Sequence, residues 1–454
     1  MKANWIKDAI FYHIYPLGLC GAPERNRLDL PAKNRIEALY PWLDHIQALG
    51  ANAIYLGPVF QSTSHGYDTM DYYQVDRRLG NNQSLSRFAD VVHQRGMHLV
   101  LDGVFNHVGR DFWAFKDVQK NGQNSVYWDW FHNISFDGIS PKGDPFTYEG
   151  WNGHFDLVEL NLSHPDVRAH LFDAVGLWID QFGIDGLRLD AADCIDLNFL
   201  KALHHYTKKR SSQFWLMGEV VHGDYRQWVN PETLDSVTNY ECYKGMYSSL
   251  NDANYFEIAY GLNRQFGVQG IYRDSHLYNF VDNHDVDRVA SKLNDPKNLI
   301  PLYLLLFTIP GIPSIYYGSE WGITGVKGQW SDAPLRPELE LASMKKDPPH
   351  PALAGVISRL SKIRQDLEAL KNGNYRQIFV DMNQLVFLRS TEDKDVLVAI
   401  NSDAEDIVIN VDLPWQGGWL RDKLNKNERF LIQNKRVKIH LPSKWGRILL
   451  YSKV

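Results

Sequence analysis

Residues 184–190 read IDGLRLD, a short apolar run that carries an arginine and ends on an aspartate. Side chains alternate along a strand, so Arg188 and Asp190 share one face while Leu187 and Leu189 share the other. A charged pair facing an interior is costly unless it is matched and used. The stretch therefore reads as a buried strand with a working end. Seven other short apolar runs resemble it in length, at 9–15, 51–56, 97–104, 214–219, 236–240, 277–281 and 313–317. Helical patterns lie between them, for example at 36–49, 84–94, 165–182 and 197–209, the last starting directly after Asp196, a suitable cap. Eight buried strands, most followed by a helical pattern, predict an α/β fold of the closed (β/α)8 TIM-barrel type. An open doubly wound sheet is the alternative. It would carry a Gly-rich phosphate turn after its first strand, and IYPLGLCGAP at 14–23 does not match that pattern.

Two regions break the alternation. Residues 106–162 are rich in Trp, Phe, Asn and Gly and show no clear helical period. A connection of that length is usually functional, and it reads as an inserted subdomain roofing the barrel mouth. Past residue 372 the pattern changes to the two-residue alternation of antiparallel strands, in RQIFV, LVFLR, DVLVAIN, IVINV, RVKIHL and RILLY. The expected division is a barrel at 1–105 and 163–371, an insert at 106–162, and a C-terminal antiparallel β-sandwich at 372–454.

The 454 residues carry a formal net charge of only −6, with acidic and basic residues interspersed, so no nucleic-acid or anionic-membrane partner is expected. Three scattered cysteines, Cys20, Cys194 and Cys242, form neither a disulfide framework nor a metal spacing. The N-terminus reads as a first buried strand rather than a signal peptide, and no stretch reaches the roughly 20 apolar residues of a membrane span. A cytoplasmic location follows as the expectation, and nothing in the chain specifies an oligomer. The aromatic content is high, at 14 Trp, 23 Tyr and 21 Phe. Such rings fill cores, and they also stack on the CH faces of sugars.

In a barrel of this kind the working residues sit at the C-terminal ends of strands. Those ends offer Asp102, Asn106 and His107 after strand three, Arg188 and Asp190 on strand four, Glu219 after strand five, and His284 with Asp285 after strand seven. Paired carboxylates near an arginine suit glycosidic cleavage, where one acid stays ionised and attacks while the other supplies a proton. Arg188 is expected to hold Asp190 anionic. Glu219 follows Trp215, Leu216 and Met217, an apolar setting that favours the protonated role.

The motifs occur in an order that resembles the α-amylase superfamily, glycoside hydrolase family 13, over essentially the whole chain. DGVFNH, GLRLDAAD, GEV and FVDNHD look like its four conserved regions, with GANAIYLGPVF and GIPSIYYGSE like its strand-two and strand-eight segments. The resemblance implies the barrel, a domain B after strand three, a C-terminal β-domain and a retaining double displacement. It makes Asp190 the nucleophile, Glu219 the acid/base and Asp285 the transition-state stabiliser, with Arg188 orienting the nucleophile. It also implies that His107 and His284 bind sugar hydroxyls, and that Tyr67 of the segment His65-Gly66-Tyr67-Asp68 stacks under the sugar. Asp68 would contact the same sugar, paired with Arg336 of SDAPLRPE. No cofactor is expected and no metal is assigned. Asn106 and Glu159 fall near positions that bind calcium in many α-amylases, but the insert offers no obvious cluster of further oxygen ligands.

Within the superfamily the barrel is similar to the cyclomaltodextrinase, neopullulanase and maltogenic amylase group, without the N-terminal β-domain usual there, since Trp5 and Ile6 already abut strand one. The expected function is retaining cleavage of α-1,4-glucosidic bonds in malto-oligosaccharides or cyclic maltodextrins, with some transglycosylation. The expected partner is an α-glucan oligosaccharide. An α-glucosidase, a sucrose phosphorylase-like transferase or a trehalose-forming enzyme is the alternative on the same scaffold. A non-catalytic member would have lost the carboxylate triad, which is intact here.

Overall fold

In the computed structural model, which describes residues 3–329 and 331–453, eight parallel strands stand side by side in chain order. They are β1 (Phe11–Ile14), β2 (Ala53–Leu56), β3 (His98–Gly103), β4 (Gly186–Leu189), β5 (Trp215–Gly218), β6 (Ser236–Val237), β7 (Tyr278–Asn279) and β8 (Ile312–Tyr316). β1 pairs with both β2 and β8. A Thr238–Tyr278 bridge closes the ring between β6 and β7, with the Asn239 amide donating to the Tyr278 carbonyl at 2.8 Å. This is the (β/α)8 barrel, and the open-sheet alternative falls away. β6 is shorter than the apolar run at 236–240 because Asn239 leaves the strand to cap the helix Tyr240–Asn251, its side chain accepting from the Cys242 amide at 3.1 Å.

The barrel interior changes character along the strands. Phe11, Ala53, Val100, Trp215, Tyr278 and Ile312 form an apolar plug, in which the Phe11 and Trp215 rings stack 5.2 Å apart. Two residues further along the same faces stand His13, Tyr55, Asp102 and Met217, with Arg188 in register with both Asp102 and Met217. The alternate positions, among them Ile54, Leu56, Leu99, Leu101, Leu187 and Leu189, are buried outward under the helices. A packed floor thus carries a charged layer facing the mouth, and the low-dielectric floor strengthens every charge interaction above it.

The helices follow local chemistry. Asn82–Gln94 starts in a capping box of Asn81 and Ser84. Pro165–Phe182 has Pro at its first turn and ends on Gly183 at φ 63°, and Leu197–Arg210 is capped by Asp196, which accepts from the Phe199 amide at 2.9 Å. The helical reading at 36–49 divides into a 3-10 turn, Arg35–Leu39, and an α-helix, Tyr40–Ala48, because Pro41 lacks the N–H that would continue the ladder.

After β3 the chain forms a hairpin of His107–Gly109 with Leu157–Glu159. Between these strands lies a helix, Trp113–Asn121, which the density of aromatics concealed in the sequence. Its Ala114, Phe115 and Val118 pack with Phe131, Phe146 and Tyr148, and Arg110 braces the unit by bonding Asp144 through two nitrogens at 2.7 and 2.9 Å.

The C-terminal strands, β9 (Asn374–Val380), β10 (Gln384–Ser390), β11 (Asp395–Asn401), β12 (Ile407–Asp412), β13 (Gly417–Asp422), β14 (Arg429–Gln433), β15 (Arg436–Leu441) and β16 (Trp445–Ser452), are antiparallel. They form one hydrogen-bonded sheet in the order β9-β10-β11-β16-β13-β14-β15-β12. The sheet rolls over its own core of Val386, Leu397, Ile409, Leu420, Val437, Ile439 and Leu449, so the two layers of the expected sandwich are continuous. The largely apolar helix Leu299–Thr308 lies buried between this sheet and the barrel.

Candidate active site

Arg188 organises the mouth of the barrel. Its Nη1 donates to Asp102 at 2.9 and 3.1 Å and to Asp190 Oδ1 at 2.9 Å, while its Nη2 pairs with Glu219 Oε2 at 2.7 Å. One guanidinium thus holds three carboxylates from the ends of β3, β4 and β5. Asp102 also accepts from the hydroxyls of Tyr55 at 2.7 Å and Tyr67 at 3.0 Å, and Glu219 Oε1 accepts from Tyr240 at 3.2 Å. The strand ends are stitched together by backbone as well, through the Asp190 amide to the Gly103 carbonyl at 3.0 Å and the Ala192 amide to the Glu219 carbonyl at 2.9 Å. Ala191, directly after Asp190, sits at φ 43°, a left-handed conformation that costs a side-chain-bearing residue about 1 kcal/mol or more.

Across the mouth, Asp285 accepts from Arg336 Nη2 at 2.8 Å and pairs with His284 Nε2 at 2.9 Å. Tyr67 hydrogen-bonds the same His284 nitrogen, and the two rings stack 5.3 Å apart. His107 lies 3.8 Å from Asp190 Oδ2 and contacts the ring of Trp151 at 5.5 Å. Asp68 is buried, accepts from Ser64 at 2.6 Å, and keeps one oxygen free of any hydrogen bond. The hairpin glycine Gly109 passes so close that a Cβ there would meet the Asp68 carbonyl oxygen at 2.5 Å.

The expected pairing of Asp68 with Arg336 is not formed. The loop after β8 directs Arg336 to Asp285, to Asp332 at 3.0 Å and to the His284 carbonyl at 2.9 Å. Two further residues belong to the site without having been singled out for it. Asp102 was visible only as a polar strand end, and its role depends on the register that sets it against Arg188. Tyr240 had no signal beyond its place at the end of the apolar run 236–240.

The charges are unevenly balanced, with Asp68, Asp102, Asp190, Glu219, Asp285 and Asp332 around two arginines, Arg188 and Arg336. Burial pushes the Asp190 carboxyl well up; Arg188 opposes this, while Glu219 and Asp102 add to it. Arg188 thus acts on Asp190 in the expected direction, against burial and the neighbouring carboxylates. Asp285 is the opposite case. Burial works against its charge, but His284, Arg336 and Arg188 hold its carboxyl well below the usual range. Burial lowers His107 to about 3 and so keeps it neutral. At the positions considered for calcium, the Asn106 carbonyl accepts from the Leu160 amide at 3.0 Å, and Glu159 is raised by burial and by Glu149. Among the described residues no group of three or more His, Cys, Asp or Glu is arranged to hold a metal ion, and no helix is long and apolar enough to cross a membrane.

A carboxylate pair on one arginine, with a third anionic carboxylate facing it over a barrel mouth, is the equipment of a glycoside hydrolase. Sequence comparison agrees. The alpha-amylase catalytic domain matches residues 37–349, and the maltogenic amylase C-terminal domain matches residues 375–448. A cyclomaltodextrinase of Bacillus sp. is 33% identical over 425 residues, spanning 88% of this chain and 73% of that one. A solved cyclomaltodextrinase structure superposes with a TM-score of 0.85 at 29% identity, covering 100% of this chain and 79% of that one. A cyclic alpha-maltosyl-(1→6)-maltose hydrolase from Arthrobacter globiformis gives 0.83 at 26% identity, covering 99% and 100%. The chain belongs to the alpha-amylase family and is a glycosidase.

Proposed function

We propose that this glycosidase cleaves α-1,4-glucosidic bonds of malto-oligosaccharides or small cyclic maltodextrins with retention, through Asp190, Glu219 and Asp285. The observation that carries the reading is the single Arg188 guanidinium shared by Asp190 and Glu219. It keeps the two acids close, as a double displacement needs (about 5 Å, against more than roughly 6.5 Å where a water must fit between them). In the reacting form Glu219 serves as the protonated acid and Asp190 as the carboxylate. Glu219 gives its proton to the glycosidic oxygen as that bond breaks, and an Asp190 oxygen bonds to the anomeric carbon. Glu219, now a carboxylate, takes a proton from water; the water oxygen attacks the anomeric carbon and releases Asp190. A sugar hydroxyl in place of water gives transfer. Asp285, anionic throughout, grips sugar hydroxyls as positive charge develops on the ring, with His107 and His284 beside it.

Substrate size is read from the insert. Trp130, Phe131, Phe146 and Tyr148 are buried in its core, Trp113 and Trp128 are exposed, and Trp151 stands half-buried over His107. A wall so close to the cleavage point supports compact substrates, and it is consistent with the names of the cyclomaltodextrinase relatives. Three free thiols, two of them buried, support a reducing, cytoplasmic setting.

The test is timed chromatography and NMR on maltotriose, β-cyclodextrin, isomaltose, sucrose and soluble starch. An α-anomer as first product and a higher kcat/KM per bond on the small maltodextrins are expected. A β-anomer would overturn the mechanism, and equal efficiency on starch would overturn the substrate reading. Glu219→Gln should impair natural substrates far more than those with activated aryl leaving groups, with azide restoring the latter; equal losses without rescue would reduce Glu219 to a positioning role.

A further inference from the structure

Behind the wall formed by the loops after β7 and β8 lies a buried cluster that the chemistry above does not use. Arg288 is fully enclosed. Its Nη1 donates to the Tyr317 carbonyl at 2.6 Å and to Ser319 Oγ at 3.2 Å, and its guanidinium lies 4.0 Å from the centre of the Tyr316 ring. Its Nε and Nη2 have no hydrogen-bond partner. Three other buried atoms are likewise unpartnered: Asp282 Oδ1, Glu320 Oε2 and the Tyr303 hydroxyl. Asp282 and Tyr303 lie within electrostatic reach of both Arg288 and Glu320. The other oxygens of the two acids are occupied. Asp282 Oδ2 accepts from the Val289 amide at 2.9 Å and from Ser319 at 2.7 Å. Glu320 Oε1 accepts from Tyr12 at 2.7 Å and meets His45 Nε2 at 2.8 Å.

We propose that Asp282, Arg288, Tyr303 and Glu320 enclose a small cluster of bound water, and that Asp282 and Glu320 thereby act as positioning residues for the loop carrying His284 and Asp285. Buried polar atoms in proteins are satisfied with few exceptions, by protein or by ordered water. Here the Ser319 hydroxyl joins Arg288 to Asp282, so unpartnered guanidinium donors and an unpartnered carboxylate oxygen stand on either side of one serine. A metal cation is opposed by the guanidinium, and an anion by the two carboxylates. Water both donates and accepts, and serves every member of the set. The link to the mouth is short. Asp282 and Arg288 bracket His284 and Asp285, the Val289 amide closes the loop onto Asp282, and the Arg288 amide ties it to the Gly325 carbonyl at 2.9 Å. A relaxed cluster would therefore move Asp285 while leaving it chemically intact.

The positioning role rests on Asp285 being the third carboxylate of the reaction, and the test separates the two. A crystal structure of the full chain, resolved well enough to show ordered water, is combined with kinetics on maltotriose of Glu320→Gln, Tyr303→Phe and Asp285→Asn. Water bonded to Arg288 Nε or Nη2 and to at least one of the two acids is expected. Glu320→Gln should lower kcat about tenfold with KM little changed, and Tyr303→Phe should lower it a fewfold, as a small misplacement of a reacting group does. Direct contact of Arg288 with Asp282 and Glu320, with no water between, overturns the proposal. So does unchanged kcat in the milder Tyr303→Phe variant together with a folded, fully active Glu320→Gln. Wild-type turnover in Asp285→Asn would instead remove the reading of Asp285, while the water density still decides the cluster.

Discussion

Arg188 and Arg389 are both fully enclosed, yet one is surrounded by carboxylates and the other by carbonyls. Burial opposes the charge of Arg188, but Asp102 and Glu219 hold its pKa well above the ordinary arginine value. Arg389, on β10, meets no carboxylate. It donates to the Thr308 carbonyl at 2.6 Å, at the C-terminal end of the helix Leu299–Thr308, and twice to the Gly373 carbonyl at 3.1 and 2.9 Å. Nearby Arg364 serves the carbonyls of Phe307 at 2.9 Å and Gly311 at 2.5 Å in the same way. Burial brings Arg364 down to about 10, and burial with Arg364 as neighbour lowers Arg389 well below its usual value. Carbonyl partners satisfy donors and suit the negative end of a helix dipole, giving a clamp between the barrel and the C-terminal sheet. Carboxylate partners create a site where protons and charge can move. The difference lies in what the guanidinium faces, and it separates a joint from an active site.

The largest expected effect is on the carboxylate side. Asp190→Asn should reduce kcat by about 10⁴-fold or more with the circular dichroism spectrum unchanged. A folded variant keeping a tenth of its activity would remove Asp190 from the nucleophile's position. Arg188→Lys comes next, at roughly 10²- to 10³-fold, because an ammonium cannot present two terminal nitrogens to Asp190 and Glu219 at once. On the carbonyl side the sign of the result reverses. Arg389→Met should cost about 2–4 kcal/mol in denaturant unfolding by leaving the Gly373 and Thr308 carbonyls without donors, while kcat per folded molecule stays near wild type. A variant that unfolds normally but loses turnover would show that the clamp is part of the catalytic apparatus.

A smaller effect is expected at His107, a buried basic residue kept neutral. Burial holds His107 at about 3, below the 6.5 of an unperturbed histidine. Its contribution to stability is complete above pH 6.5. It is lost as pH falls toward 3, because the unfolded chain binds a proton that the folded chain refuses, at up to about 1.4 kcal/mol per pH unit. Melting curves of wild type and His107→Asn should therefore converge between pH 6.5 and 4. Curves that stay parallel would mean that His107 is protonated within the fold.

The barrel was legible because its strands are buried on both faces and read as continuous apolar runs, and because Asp196 and the Pro165 start give plain helix signals. The helix Trp113–Asn121 was not, since its buried stripe of Ala114, Phe115 and Val118 is lost among aromatics that also serve the insert's core. In the site, Arg188 and Asp190 could be paired from their spacing alone, because a two-residue offset on a strand fixes a shared face. The partner of Arg336 could not, since it depends on the path of an irregular loop, and that path leads to Asp285 rather than Asp68. The upward push on the Asp190 carboxyl was also beyond the sequence. It arises first from burial and then from the carboxylates gathered around one guanidinium, properties of the assembled site and not of any motif.

In the proposed reaction the Arg188-bound carboxylate of Asp190 forms a covalent bond to the sugar. Incubation with a fluorinated glucosyl fluoride, followed by proteolysis and mass spectrometry, tests it most directly, because such a sugar slows breakdown of the intermediate more than its formation. One sugar per chain is expected, on the peptide containing Asp190, absent from Asp190→Asn and released on adding maltose as acceptor. A label on Glu219 or Asp285, or no label while the fluoride is turned over, would contradict it.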